Sequence, residues 1–259
     1  MPPVDPATAT RLEKVAVDNG FDQELPRAGA WLAFASSRAP LRLWLTTLDG
    51  PVIVAALSQR HVADALGDLG APFDGAVPGD AAAARSVADM PSLHHLVRRA
   101  FQLSSALPDE LLHVFERRTG TLPRSTEAER LVVQRVGQDV FRQGLLQYWE
   151  GRCAVTGLAV VELLRASHIK PWARCETDAE RLDVFNGLLL APHLDAAFDG
   201  GFITVDDTGD VVVSASLGET DRRLLGLAEP LRLHSIAGRH RPYLRYHRDH
   251  RFETGRPPV

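Results

Sequence analysis

The chain has little cysteine and no long apolar run. Only Cys153 and Cys175 are present among 259 residues, too few to staple a fold of this size or to build a four-thiolate zinc site. Apolar segments such as residues 51–57 are far shorter than the roughly 20 residues that span a bilayer, and no basic segment precedes an apolar stretch at the N-terminus. We therefore expect a cytoplasmic protein, in which oxygen and nitrogen ligands would hold any metal.

The chain also lacks an excess of positive charge. Its formal net charge is −4, so the molecule as a whole does not attract nucleic acid, and a DNA-binding role requires arginines clustered in one place. With 45% hydrophobic and 24% charged residues, the chain has enough apolar mass for one large core or two modest ones. This composition excludes disordered, collagen-like and disulfide-stapled scaffolds.

Residues 1–90 predict a small N-terminal α/β domain. A helix is predicted over residues 7–18, a small antiparallel sheet over residues 30–56, and a second helix that Ser58 caps. Residues 70–91 are rich in glycine, alanine, proline and aspartate, which predicts a loop or linker.

Helical periodicity follows this domain. In residues 91–150 apolar side chains recur at spacings of three and four, which predicts a helical connector whose longest helix is capped by Ser125 or Thr126. At Gly151 the pattern changes to short apolar runs separated by turns. Residues 151–259 therefore predict a compact α+β module.

This C-terminal module begins with a strand, a loop, a second strand and a short helix. Residues 161–168 predict the first strand, which ends at Ser167 and His168 before a proline-containing loop. Asn186-Gly187 is a strong turn dipeptide and opens the second strand, and Pro192 suits the first turn of the helix. Polar side chains thus fall at the ends of elements, where they can reach a metal and a phosphate.

Three spaced blocks of this module, SHIKPW, NGLLLAPHLDAAFD and GFITVDDTG, resemble the HNH endonucleases. The resemblance covers roughly residues 135–215 and implies a ββα-metal fold that grips one divalent cation between a hairpin and a helix. It places the family's general-base histidine at His168 and its central asparagine at Asn186. The last metal ligand, on the helix, maps onto Asp195 or His193.

Two features depart from the family's pattern. Many members have an aspartate immediately before the first histidine, whereas this chain has Ser167, so one expected metal ligand is missing or comes from elsewhere. Many members also carry four zinc-binding cysteines, of which only Cys153 and Cys175 could be remnants. Ser167 leaves open a protein that keeps the nuclease fold and binds DNA without cleaving it.

The residue types also suit phosphodiester hydrolysis on their own chemistry. A histidine with an ordinary pKa of about 6.5 can accept a proton from water near neutral pH, so His168 is the predicted base. Asn186 cannot be a base, but its amide can brace the loop or orient His168. A hard cation such as Mg²⁺ or Mn²⁺ neutralises charge on the scissile phosphate and prefers carboxylate and imidazole ligands.

The helix offers three candidate metal ligands. At about 100° per residue, Asp195 and Asp199 lie on adjoining parts of one face, whereas His193 lies about 160° from Asp195 and about 120° from Asp199. All three cannot face one ion on a regular helix. We rank Asp195 first, His193 second and Asp199 third, and His193 gains weight if the helix begins one residue later.

The C-terminal segment, residues 239–251, meets the charge condition for DNA binding. It contains five arginines against one aspartate, and arginine binds phosphates bidentately. An ordinary solvated helix is the alternative. The residues predicted to bind the DNA backbone are Lys170, Arg239, Arg241, Arg245 and Arg248.

The sequence as a whole predicts a metal-dependent endonuclease of restriction or host-defence type that cleaves double-stranded DNA, with a homodimer as the simplest way to cut both strands. The alternatives are the non-cleaving DNA-binding protein and a toxin-like nuclease without sequence choice. The N-terminal domain is a candidate DNA reader. Its aromatic residues Trp31, Phe34 and Trp44 are expected to be core, and the alternative is that they stack on bases.

Overall fold

The computed structural model describes residues 4–48, 52–123 and 125–252, without the side chains of Pro108 and Asp109. The chain forms two compact units, Met1–Ser105 and Ala106–Val259. Both combine helices with antiparallel strands, so the predicted α+β class is confirmed. The sequence also has a turn signal at Asp49-Gly50-Pro51, and these three residues lie outside the described ones.

The first unit is a six-stranded sheet with helices. Its elements are α1 (Pro6–Asp18), β1 (Gln23–Ala28), β2 (Trp31–Ala35), β3 (Leu43–Thr47), β4 (Ile53–Leu57), α2 (Arg60–Ala65), β5 (Ala71–Pro72), β6 (Ala83–Val87) and α3 (Met90–Ala106). The strand order is β1-β2-β3-β4-β6-β5, and every neighbouring pair is antiparallel. The unit is therefore α+β, and the label α/β was wrong for it.

The sequence pattern does not predict three strands of this sheet, β1, β5 and β6. β6 lies inside residues 70–91, where the predicted loop was wrong, and it pairs with β4 from Ala83 to Val87. Its pattern is hidden because Arg85 interrupts the small residues and binds three backbone carbonyls. β1 contains Pro26, which an edge strand tolerates because one side of that strand carries no ladder hydrogen bonds.

Apolar side chains of the sheet and of α1 build the core of the first unit. α1 begins after Asp5, whose carboxylate accepts two backbone N–H groups of the first turn. Trp31, Phe34 and Trp44 are all buried, and the two tryptophans belong to one apolar cluster. The expectation that these aromatic residues are core is confirmed, so their rings are not presented for stacking on bases.

The second unit holds the module with the hairpin and the short helix. Its elements are α4 (Pro108–Thr119), α5 (Glu127–Tyr148), β7 (Arg165–His168), α6 (Asp178–Leu182), β8 (Gly187–Leu190), α7 (Pro192–Asp199), β9 (Ile203–Val205), β10 (Val211–Val213), α8 (Glu219–Leu224) and α9 (Arg241–His250). β7 pairs with β8, and β9 pairs with β10. The predicted order of strand, loop, strand and helix is present, although β7 is shorter than residues 161–168.

α5 is the long helix expected at the end of residues 91–150. The Thr126 hydroxyl accepts the Glu129 N–H while the Glu129 carboxylate accepts the Thr126 N–H, a capping box that fixes the start of the helix. The buried face of α5 contacts β7, β8 and α6. Residues 91–150 do not act as one connector, because α3 lies in the first unit except for its last residue, whereas α4 and α5 lie in the second.

α9 packs into the second unit. The His247 ring stacks on Phe198 of α7 with 3.8 Å between centroids, and its nitrogens contact the Thr204 hydroxyl and the Phe198 carbonyl. Leu244 is fully buried. The basic C-terminal segment is therefore part of the core of this unit as well as of its surface. Within the described ranges, no helix combines the length and apolarity needed to cross a membrane.

Candidate active site

The β7–β8 hairpin and α7 bring the predicted site residues into one region. His168 pairs with Gly187 and Ser167 pairs with Leu188. Both polar residues therefore lie at the end of β7 from which the long connection to β8 begins. Residues 169–186 form the long connection between the strands and contain α6 and two short 3₁₀ turns. α7 begins one residue after β8 and contacts β7, and the Ser167 hydroxyl acts on the Asp199 carboxylate, which places the end of the helix near Ser167.

His168 is held in one orientation by two neighbours. Its ring stacks on Phe141 of α5, with 3.8 Å between centroids and 17° between planes. Nε2 lies 2.9 Å from the carbonyl oxygen of Arg181. Because a carbonyl only accepts hydrogen bonds, Nε2 must carry the proton, and Nδ1 is then the unprotonated nitrogen of the neutral ring. His168 thus has a base atom defined by its hydrogen bond.

The environment changes the acidity of this histidine. Burial lowers the pKa of His168 to about 4, although the hydrogen bond to the Arg181 carbonyl acts in the opposite direction. The ordinary value of about 6.5 expected from the sequence was therefore wrong. The imidazole is neutral throughout the physiological pH range.

Asn186 braces the connection between the two strands. Its side chain is fully buried, Oδ1 accepts the Lys170 N–H at 2.8 Å, and Nδ2 donates to the carbonyls of Lys170 and Glu180 at 3.2 Å. The next carbonyl along the chain, that of Arg181, accepts the hydrogen bond from Nε2 of His168. Asn186 ends a 3₁₀ turn and Gly187 begins β8, so the prediction of a turn that opens the second strand is confirmed.

α7 separates the three candidate metal ligands. It begins at Pro192, so Asp195 and Asp199 are one turn apart, and His193 is exposed in the first turn. The pKa of Asp199 is raised by partial burial of its carboxylate and by the Asp195 carboxylate. The two aspartates therefore act on each other electrostatically, as expected for carboxylates on adjoining parts of one face.

Ser167 occupies the position where the family resemblance leads one to expect an aspartate. It is 3% exposed, and its Oγ has no hydrogen-bond partner within 3.5 Å among the described residues. The hydroxyl nevertheless acts on the nearby Asp199 carboxylate and favours its charged form. The Ser167 hydroxyl and the Asp199 carboxylate are therefore hard oxygen donors close to each other.

These donors fit an ion that needs few protein ligands. In the part of the chain that the structure describes, no three histidine, cysteine, aspartate or glutamate side chains converge on one point. Mg²⁺ is commonly bound by one or two carboxylates, with water and phosphate oxygens completing its shell. Asp195 and Asp199 meet that requirement, whereas a closed four-ligand zinc site is not formed by the described residues.

The two cysteines are buried and unpaired. Cys153 accepts the Ala191 N–H at the start of α7, with 3.3 Å between sulfur and nitrogen. Cys175 lies 3.4 Å from the Asn186 amide, inside the connection between β7 and β8. Both thiols thus serve as packing and weak hydrogen-bonding groups that hold the hairpin module together.

Three of the five side chains predicted to bind DNA hold internal contacts. Lys170 pairs with Glu180, with 2.6 Å between Nζ and Oε1. Arg248 pairs with Asp207 at 2.6 Å, and its side chain is only 23% exposed. Arg239 is half-exposed but lies 3.4 Å from a buried aspartate and over an aromatic ring. Each of these cations would have to exchange a protein partner for a phosphate.

Arg241 and Arg245 differ from the other three. They lie one turn apart on α9, both are exposed, and neither side chain has a hydrogen-bond or ion-pair partner among the described residues. Residues four apart share a helix face. Of the five residues predicted to bind DNA, only these two have side chains without a partner in the part of the chain that the structure describes.

Two positioning residues were missed from the sequence. The Asp183 carboxylate is buried, which raises its pKa, and it accepts hydrogen bonds from the Tyr243 hydroxyl and the Arg239 guanidinium. Arg181 supplies the carbonyl that orients His168. Asp183 thereby ties the connection between β7 and β8 to the C-terminal segment. No local signal marks these roles, because the partners of Asp183 are more than fifty positions away.

Comparison with known families points to the same segment. Residues 153–206 match the family model HNH_2, described as HNH endonuclease. This span contains the hairpin, its long connection, α7 and β9. No curated protein matches the chain. The chain thus carries an HNH endonuclease domain in its C-terminal half, and the resemblance seen in the sequence is confirmed. The activity that such a domain suggests is nuclease activity on DNA.

We expect the protein to lose stability as the pH falls from about 6.5 to about 4. Burial lowers the pKa of His168, His240 and His247 to about 4, whereas in the unfolded chain each is near 6.5. Between these two pH values the unfolded state binds up to about three more protons than the folded state does. The free energy of unfolding should fall by up to about 4 kcal/mol per pH unit, measured by urea denaturation.

A His193→Ala variant provides the control for this pH series. His193 is exposed, so the slope of stability against pH should match that of the unchanged protein. An unfolding free energy that stays constant between pH 7 and pH 5 would contradict burial of the three neutral histidines.

Proposed function

We propose that the protein is a metal-dependent endonuclease that hydrolyses phosphodiester bonds of double-stranded DNA, in the cytoplasm and as part of restriction or host defence. The observation that carries the proposal is the orientation of His168, whose Nε2 proton is bound to the Arg181 carbonyl so that Nδ1 is the base atom. The HNH domain supports the nuclease class. The defence role rests on the family resemblance alone.

In this proposal Nδ1 of His168 accepts a proton from the attacking water. Nε2 keeps its own proton on the Arg181 carbonyl, so the ring does not turn during the reaction. The low pKa of His168 keeps the ring neutral but makes it a weak base. A bound phosphate is an anion and favours the protonated ring, so DNA binding should raise this pKa toward the working pH.

Asp195 and Asp199 would hold the divalent cation, Mg²⁺ or Mn²⁺, with the Ser167 hydroxyl beside them. When bound, the ion neutralises charge on the scissile phosphate and on the leaving oxygen. Asn186 acts as a positioning residue, because it fixes the connection whose Arg181 carbonyl orients His168.

The free arginines of α9 would bind the DNA backbone. Arg241 and Arg245 are the first candidates, since they lose no ion pair on meeting a phosphate. The weaker candidates for phosphate binding are Lys170, Arg239 and Arg248, because each already pairs with a carboxylate. Neither the single chain nor the family match supports the homodimer, which stays a prediction.

Cleavage of plasmid DNA in Mg²⁺, Mn²⁺ or EDTA tests the proposal against its alternatives. A metal-dependent endonuclease nicks or linearises the plasmid with metal and is inactive in EDTA. Binding without cleavage in either metal would favour the non-cleaving alternative that Ser167 motivates. Equal degradation of DNA and RNA of any sequence would favour the toxin-like nuclease.

His168→Ala should reduce the cleavage rate by about 10²- to 10⁴-fold while leaving folding and DNA affinity nearly unchanged, because only the proton acceptor is removed. In the unchanged protein with saturating metal, kcat/KM should persist to about pH 5, since the free enzyme's His168 has a pKa of about 4. Plasmid cleavage and DNA binding measure the two effects. A well-folded His168→Ala protein that keeps most activity would remove His168 from the site.

Asp195→Asn should raise the Mg²⁺ concentration needed for half-maximal cleavage more than Asp199→Asn does. Asp195 lies within α7 and is half-buried, so its carboxylate is held more firmly than that of Asp199, the last residue of the helix. His193→Ala should leave the metal requirement nearly unchanged, because the helix begins before it. A larger effect at His193 than at Asp195 would reverse the assignment. Metal titrations of the cleavage rate give the values.

Replacing Arg241 and Arg245 together by alanine should weaken binding about equally for all duplex sequences, since phosphates carry no base identity. The slope of log affinity against log salt should flatten by about 2, near 0.9 for each lost contact. The double variant Arg223→Ala with Arg232→Ala is the control, with the same charge change on exposed residues outside α9. Identical slopes for both double variants would leave α9 without a role in phosphate binding.

A further inference from the structure

A cleft with aromatic walls lies in the second unit, against the connection between β7 and β8. Its volume is about 320 Å³, near the lower end of the roughly 300–1,000 Å³ typical of ligand sites. That size suits a single nucleotide rather than a duplex. The side chains that line it include Phe115, Arg130, Gln134, Trp172, Asp178 and Arg181.

Gly137 brings the two aromatic rings together at the base of the cleft. A Cβ added at Gly137 would lie 2.4 Å from Cη2 of Trp172 and 3.3 Å from Cε2 of Phe115. The Trp172 ring therefore rests directly on the backbone of α5. Phe115 is 2% exposed, whereas Trp172 keeps part of its surface exposed. A planar ring that enters the cleft meets an aromatic surface that is already held in place.

The two arginines of the cleft differ in their partners. The Arg181 guanidinium donates to the Asp178 carboxylate and to the carbonyls of Cys175 and Trp172. The Arg130 side chain is exposed and has neither an ion pair nor a hydrogen bond within the described ranges. A free guanidinium beside an aromatic wall matches a nucleotide, whose base stacks on the ring while its phosphate pairs with the cation.

We propose that this cleft binds one unstacked nucleotide, with its base against Trp172 and its phosphate on Arg130. The proposal rests on the nuclease function proposed above, because the cleft adjoins His168, the proposed general base. The Trp172 ring meets the His168 ring edge-on at 5.5 Å, and the carbonyl of Arg181, which also lines the cleft, holds Nε2 of His168. The nucleotide comes either from an unpaired stretch of the substrate strand or from a free mononucleotide.

The test uses the full chain in EDTA and two fluorescent probes. One probe is a single-stranded oligodeoxynucleotide with one 2-aminopurine base, and the other is free 2-aminopurine deoxyribonucleoside 5′-monophosphate. Arg130→Ala should weaken binding about 10-fold, the effect of one charged hydrogen bond. Arg135→Ala removes the same charge from an exposed position of α5 outside the cleft. This variant should bind the probes as tightly as the unchanged protein does. Gly137→Ala, which displaces Trp172, should reduce the fluorescence change of the bound base.

The two probes identify the source of the nucleotide. Tighter binding of the oligonucleotide, with loss at Arg130, supports a segment of the substrate strand, whereas equal binding of both probes with the same loss supports a free nucleotide. Equal affinities for the unchanged protein, Arg130→Ala and Arg135→Ala overturn the proposal. The comparison of the two arginine variants decides the matter even if Gly137→Ala fails to fold.

Plasmid cleavage in Mg²⁺ by the same proteins separates this proposal from the proposed function. If the unchanged protein cleaves DNA and Arg130→Ala behaves as Arg135→Ala in binding and in KM, the cleft proposal fails and the endonuclease stands. If the unchanged protein binds the probes through Arg130 but cleaves in no metal, the endonuclease fails and the cleft stands.

Discussion

The buried side-chain amide of Asn186 fixes the connection between β7 and β8 near both of its ends. It bonds to the N–H and the carbonyl of Lys170 on one side and to the Glu180 carbonyl on the other. A buried polar group left without a partner costs about 1–3 kcal/mol, so this amide strongly favours one arrangement of the loop. The next carbonyl along the chain, that of Arg181, receives the proton of His168. Asn186 thus helps to orient the His168 ring through the backbone of the connection.

The parts of the fold that the sequence predicts correctly depend on local signals. Pro192 at the start of α7 and the capping box of α5 act within one turn of helix, so the chain around them is sufficient to specify them. The predicted loop at residues 70–91 failed because β6 is defined by pairing with β4 and not by its own composition. A strand whose partner lies elsewhere leaves a weak pattern in its own sequence.

The candidate site shows the same division between local and distant causes. The sequence predicts that His168 ends a strand, that Asn186 precedes the next strand and that Asp195 lies on a short helix, and the structure has each in that place. The pKa of His168 could not be predicted, since it depends on burial against Phe141 of another helix. The ion pair of Lys170 with Glu180 is likewise a product of the fold. A pattern indicates which side chains can take part in the chemistry, whereas the fold determines which of them are free to do so.

The packing of α9 also bears on how such a module can be exchanged between proteins. The family match ends at residue 206, yet the His247 ring stacks on Phe198 and bonds to the Thr204 hydroxyl inside the matched span. Recombination that transferred residues 153–206 alone would leave that aromatic face and that hydroxyl without their partners. The matched segment is therefore shorter than the set of residues that pack together, and a fusion that keeps the Phe198 ring covered includes the C-terminal helix as well.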